Sequence, residues 1–134
     1  MSLLAEFYNT VWALEPTTLH AIQLVIERWS AGVRLSPEEI RVAIGDAPQV
    51  AADRRAASQA AGGAGVAVVP VYGVLTHRGH NAQQVSTTLA STELLAAQIG
   101  AVVRDPGVSA VVLDFDSPGG SVHGVQELGD AIYA

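Results

Sequence analysis

Residues 109–124 read SAVVLDFDSPGGSVHG. The run SAVVLDF (109–115) is short, apolar and rich in β-branched residues, which predicts a strand buried in a sheet. It ends on Asp114, Asp116, Pro118 and the Gly119–Gly120 pair. Pro118 fixes one φ angle, while the glycines take angles other residues resist and let a ligand approach the main chain. VQELGDAIYA (125–134) then reads as a helix. In open α/β sheets, ligands sit beyond the carboxyl ends of the strands, which is where this turn falls. If the turn leads into the helix, the N–H groups of Gly119 and Gly120 sit at its positive end and suit an oxyanion. The same residues also suit an ordinary tight turn with a helix cap, and the residues alone leave both readings open.

Working outward, VAVVPVYGVL (66–75) predicts a second strand, with Pro70 at an edge or bulge because it lacks a ladder donor. STELLAAQIGAVVR (91–104) predicts a helix capped by Ser91, with Leu95, Ile99, Val102 and Val103 as its buried stripe. A helix between two apolar strands is a βαβ unit, so the strands are expected to be parallel. Upstream, PTTLHAIQLVIERWS (16–30) predicts a helix with Pro16 in its first turn and Leu19, Ile22, Ile26 and Trp29 on one face. Ser36, Pro37 and Glu39 form a capping box at the start of a shorter helix that Gly45 ends. Residues 45–65 are alanine, glycine and polar residues without long apolar periodicity. The organisation expected is a helical arm over 1–45, a linker over 46–65 and an α/β domain over 66–134.

Composition narrows the function. Hydrophobic residues are 49% of the 134 but aromatics only 5%, so the core is expected to be aliphatic. The net charge is −6, there is no lysine, and the seven basic residues are scattered arginines, which argues against nucleic acid as a partner. Without cysteine there is no disulfide or thiolate metal site. The longest apolar run, 65–75, is too short to span a bilayer and contains a proline. No secretory signal is expected at the N-terminus.

Candidate chemistry is thin outside the turn. Ser121 in GGSVH approaches the G-x-S-x-G nucleophile elbow, but the last position is His123 instead of glycine. A hydroxyl capping the following helix is the plainer role. Asp114 and Asp116 share a strand face, and no third acid or metal ligand accompanies them. His77 and His80 form H-x-x-H, best read as part of a solvated loop. GGAG (62–65) precedes its strand, whereas a dinucleotide fingerprint follows one. No cofactor and no metal is expected.

VAVVPVYGVLTHRG together with VSAVVLDFDSPGGSVHGVQELGDAI resembles the beginning of the signal peptide peptidase A family of serine peptidases. The phage-encoded branch, with head-maturation proteases similar to the lambda capsid protease, is the nearest in appearance. WALEP and LSPEE in the arm also look like that branch. The resemblance is strong over 66–76 and 101–132. It implies the N-terminal part of a ClpP/crotonase-like ββα spiral preceded by a helical arm, and assembly into a homo-oligomer. It implies an oxyanion hole of backbone N–H at Gly119–Gly120, with Gly120 favoured as the donor. Ser121, Val122 and His123 would border a groove in which an extended peptide pairs through its backbone. Substrates would be polypeptides such as phage scaffold, portal or coat proteins, met in a procapsid in the bacterial host cytoplasm.

The family's serine nucleophile and lysine base fall in segments beyond residue 134, and no lysine exists in this chain. Nucleophile and base must lie within hydrogen-bond reach, so these residues supply at most the oxyanion half of a site. The expectation is a fragmentary form of a longer enzyme. The alternative is a non-catalytic, scaffold-like assembly product of the same family. An acyl-CoA enzyme on the same fold ranks last, because no basic residue is placed for a CoA phosphate.

Overall fold

The computed structural model describes residues 2–44, 53, 65–78 and 89–134. The fold is α/β. The chain opens with α1 (Leu3–Asn9), β1 (Trp12–Leu14), α2 (Pro16–Ser30) and α3 (Pro37–Ile44). It continues through β2 (Val66–Tyr72), β3 (Leu75–Thr76), β4 (Ala90–Ser91), α4 (Thr92–Val103), β5 (Ala110–Asp116), β6 (Gly119–Ser121) and α5 (Val125–Tyr133).

β2 and β5 pair in parallel, Val66 with Ala110 through to Tyr72 with Asp116. This is the expected βαβ unit, with α4 between the strands. One face of the pair carries Val69, Val71, Val111 and Leu113, which pack with Leu95 and Ile99 of α4 and Leu128 of α5. Val69 and Val71 are each 1% exposed. Burying a valine side chain is worth about 1.5–3 kcal/mol, so these contacts rank among the larger local contributions. Val103, expected in the buried stripe of α4, is exposed instead. Val102 packs on the core, and Val103, one residue and about 100° further round the helix, is left in solvent.

The stretch 66–75 is two strands, not one. Gly73 adopts a φ of 83°, a left-handed angle that β-branched residues avoid, and turns the chain out of the β2–β5 pair. Its N–H donates to the Asp116 carbonyl at 2.9 Å, so the turn is tied to the end of β5. β3 then enters a second sheet of strand order β1-β6-β3-β4.

The caps follow the local chemistry. Ser91 Oγ accepts from the Leu94 N–H at 3.4 Å. In the capping box, the Ser36 N–H donates to Glu39 Oε2 at 2.8 Å and the Glu39 N–H to Ser36 Oγ at 3.2 Å. The Ser36 backbone and hydroxyl both hold the Glu39 carboxyl below the ordinary glutamate range. Nearly all of the expected linker, and Gly45 as a helix stop, lie outside the described residues.

Two features of the arm were not foreseen. Residues 3–9 form a helix with Ser2 as its cap, Ser2 Oγ accepting from the Ala5 N–H at 3.3 Å. Trp12–Leu14 is a strand that pairs with β6.

Candidate functional site

The site is the second sheet, where β6 lies between β1 and β3. The register sets Trp12 against Ser121, Ala13 against Gly120 and Leu14 against Gly119, antiparallel. On its other side Gly120 pairs in parallel with Leu75. The stretch Gly119–Gly120 is therefore a strand with main chain on both sides. It does not lead directly into a helix. α5 begins at Val125, with Gly124 as its cap. The reading that placed these N–H groups at the positive end of a helix is corrected by this geometry, because β6 and the turn 122–124 intervene.

Why two glycines stand here is a matter of space. A Cβ on Gly119 would overlap the Ala13 carbonyl oxygen and lie 3.1 Å from Ala13 C and from Leu14 Cα. A Cβ on Gly120 would overlap the Leu75 carbonyl oxygen and lie 2.6 Å from Leu75 N. Every one of these neighbours is backbone, which no rotamer change can move. Gly119 also has a φ of 111°, whereas Gly120 is required by crowding alone.

The two N–H groups have different partners. Ser117 Oγ accepts from the Gly119 N–H at 3.1 Å and donates to the Gly119 carbonyl at 3.2 Å. Gly120 faces β1. The Glu15 N–H donates to the Pro118 carbonyl at 3.0 Å, and the Val122 N–H to the Val11 carbonyl at 2.9 Å. In an antiparallel ladder, pairs that exchange hydrogen bonds recur every second residue. The pair midway between these two is Ala13–Gly120, so the Gly120 N–H is directed at the Ala13 carbonyl. Of the two candidate donors, Gly120 is the one turned towards a peptide carbonyl.

The other expected border residues are brought to the same edge. Ser121 is 5% exposed, and its Oγ accepts from the His123 N–H at 3.1 Å. That hydroxyl caps the turn before α5 instead of the helix itself. Val122 and His123 are exposed at the end of β6. His77 is not in a solvated loop. It is half-buried, and a Cβ on Gly124 would overlap both His77 Nδ1 and Thr92 Oγ1. Nδ1 of His77 and the hydroxyls of Thr76 and Thr92 are buried without hydrogen-bond partners among the described residues. His80 lies outside the described residues. Asp114 accepts from the Tyr72 hydroxyl on the strand face opposite the core. Among the described residues, no three His, Asp or Glu side chains converge to hold a metal ion. Among them too, no helix is long and apolar enough to cross a membrane.

β1 was the functional element that sequence reasoning missed. Its signals are weak: Trp12 and Leu14 alternate with Ala13 over only three residues. What fixes it is an anchor upstream. Trp12 Nε1 donates to the Phe7 carbonyl at 2.9 Å, and the two rings are 5.4 Å apart. The Tyr8 hydroxyl donates to Glu27 Oε1 at 2.6 Å, and Gln23 Nε2 donates to both groups, which clamps α1 to α2.

No family model, no curated protein and no solved structure matches this chain.

Proposed function

We propose that this chain is the N-terminal part of a serine endopeptidase with a ClpP/crotonase-like ββα spiral, similar to the phage maturation branch of the signal peptide peptidase A family. Gly120 supplies the backbone N–H of the oxyanion hole, and Ser121, Val122 and His123 border the strand-shaped peptide groove. The nucleophile and the lysine base belong to residues beyond 134.

One observation carries the reading. β6 takes an extended segment as an antiparallel strand, with the Gly120 N–H directed at a peptide carbonyl. A donor fixed in that direction stabilises negative charge developing on a carbonyl oxygen, and one such donor is worth about 3 kcal/mol in a transition state. Backbone pairing of this kind accepts many sequences, as cleavage at defined but varied sites in large proteins requires.

The test starts with the intact mass of the native product and its reading frame past codon 134. A longer chain with a serine-bearing segment and a lysine supports the peptidase. That polypeptide should hydrolyse casein, and replacing the Gly120 N–H by an ester oxygen through semisynthesis, which removes the donor and adds no Cβ to the space Leu75 fills, should abolish turnover with the circular dichroism spectrum retained. Intact turnover in that ester variant would remove the oxyanion assignment.

A second reading, a non-catalytic assembly protein, draws on the strand face opposite the helices. Val66 and Val112 are exposed there, and parallel strands normally have both faces covered. It requires a stop after Ala134 and concentration-dependent association in sedimentation. A strictly monomeric profile would remove it.

A further inference from the structure

We infer that β6 is a strand-accepting site for an extended peptide, filled in cis by residues 11–15, and that release of β1 opens it. The inference rests on the reading of β6 as a peptide groove and adds its resident occupant and its regulation.

Four observations converge. The segment Val11–Glu15 lies along the full length of β6 and is bonded at both ends, Val11 to Val122 and Glu15 to Pro118. The carbonyl set against the favoured oxyanion donor belongs to Ala13, an exposed residue with a small side chain. Gly119 has given up its side chain to let this segment in, since its Cβ position is filled by β1 backbone. The segment is also held from outside the groove: Trp12 by Phe7 upstream, and Glu15 downstream, whose carboxylate accepts from Thr17 Oγ1 at 2.5 Å and Thr18 Oγ1 at 2.8 Å.

The arrangement has the form of a bound peptide. Val-Trp-Ala-Leu-Glu is extended, Trp12 and Leu14 are half-buried on one side, and the Ala13–Leu14 bond occupies the place of a bond to be cut. The ligand class that would replace it is therefore an extended peptide with a small residue opposite Gly120. Because β1 is tethered, it competes at an effective concentration in the millimolar range, so a free peptide enters only when the tether is loosened. The anchors on Trp12 and Glu15 are where such loosening would act.

The test uses the whole chain and a synthetic peptide of residues 9–17, NTVWALEPT. Ala13→Pro removes the N–H through which β1 pairs with the Gly120 carbonyl, at an exposed position. Amide exchange of Val69 and Leu113 reports whether the domain remains folded. Trp12→Ala, which loosens the anchor and leaves the backbone intact, is the second variant. With the core protected, the Gly120 and Val122 amides should lose protection in both variants. The peptide should then restore it, binding about tenfold or more tighter than to the unaltered chain. Gly120 and Val122 remaining protected in both variants would overturn the inference. Equal peptide affinity for the unaltered chain and the variants would overturn it while leaving the groove reading intact. No binding to either variant, with Gly120 freed, would remove both.

Discussion

Replacing Gly119 by alanine should detach β1 while leaving the domain folded. The φ of 111° at this position costs a side-chain-bearing residue about 1–2 kcal/mol wherever β1 lies. The added methyl also overlaps the Ala13 carbonyl and presses on Leu14 Cα at 3.1 Å, so the strand cannot stay in register. Attachment of β1 rests on the two bonds from Glu15 to Pro118 and from Val122 to Val11, and on the two that Ala13 and Gly120 exchange. At about 0.5–1.5 kcal/mol net each, those four bonds are together worth about 2–6 kcal/mol. Release of the strand is the smaller loss, because unfolding would also forfeit the Val69, Val71, Leu95 and Ile99 core. The assay is residue-resolved amide exchange with urea denaturation alongside. Exchange at Val122 should quicken about thirtyfold or more while Val69 and Leu113 stay protected, and global stability should fall by about 3 kcal/mol or more, the φ strain and the lost attachment together. Val122 protection within threefold of the unaltered chain, or loss of Val69 and Leu113 protection together with it, would refute the reasoning.

Gly120→Ala should behave differently, because its methyl meets Leu75 backbone in mid-sheet, with Leu75 C at 2.7 Å. The loss should be global, about 3 kcal/mol by urea denaturation. Gly124→Ala combines a φ of 83° with overlap onto His77 and Thr92, and should lower the urea midpoint by the equivalent of about 2–3 kcal/mol. Ser36→Ala should cost α3 about 1 kcal/mol, read as faster exchange confined to residues 37–44. The clamp between α1 and α2 should have two pH edges. The Tyr8 hydroxyl, then Gln23, holds the Glu27 carboxyl below its ordinary value of 4.5. That contribution is present above 4.5 and lost as pH falls through the lowered value. The bond to Glu27, then burial, raises the Tyr8 hydroxyl above 10.0, so its contribution is present below 10.0 and lost as pH rises through the raised value. Tyrosine absorbance and the amide shifts of residues 3–9 should report both edges, and Tyr8→Phe should abolish the alkaline edge and weaken the acid one, which the Gln23 bond still supports.

Much of the scaffold was legible because its signals are local. Pro16 and the i, i+3, i+4 apolar spacing delimit α2, whose limits match the expectation at both ends. The Ser36–Glu39 box and the Ser91 cap are made by side chains within three residues of the groups they satisfy. The parallel β2–β5 pair follows from an apolar strand, a helix and a second apolar strand in order. What was not legible depends on contacts distant in sequence. The break at Gly73 looks like one more residue of an apolar run until its N–H is seen on the Asp116 carbonyl. β1 is three residues long, and what fixes it are the anchors of Trp12 on Phe7 and of Glu15 on Thr17 and Thr18, with the bare backbone of β6. The glycine pair reads in the sequence as admitting a ligand to the main chain; in the structure its neighbours are main chain of the same molecule, and β6 and residues 122–124 separate it from the helix, which begins at Val125 as expected.

The account turns on the Gly120 N–H facing a peptide carbonyl. A scalar coupling across the hydrogen bond, from the Gly120 amide nitrogen to the Ala13 carbonyl carbon in labelled protein, measures that contact directly. The account predicts a resolved coupling in the unaltered chain and its loss in Ala13→Pro. A Gly120 amide in fast exchange, or coupled to a carbonyl other than that of Ala13, would contradict it.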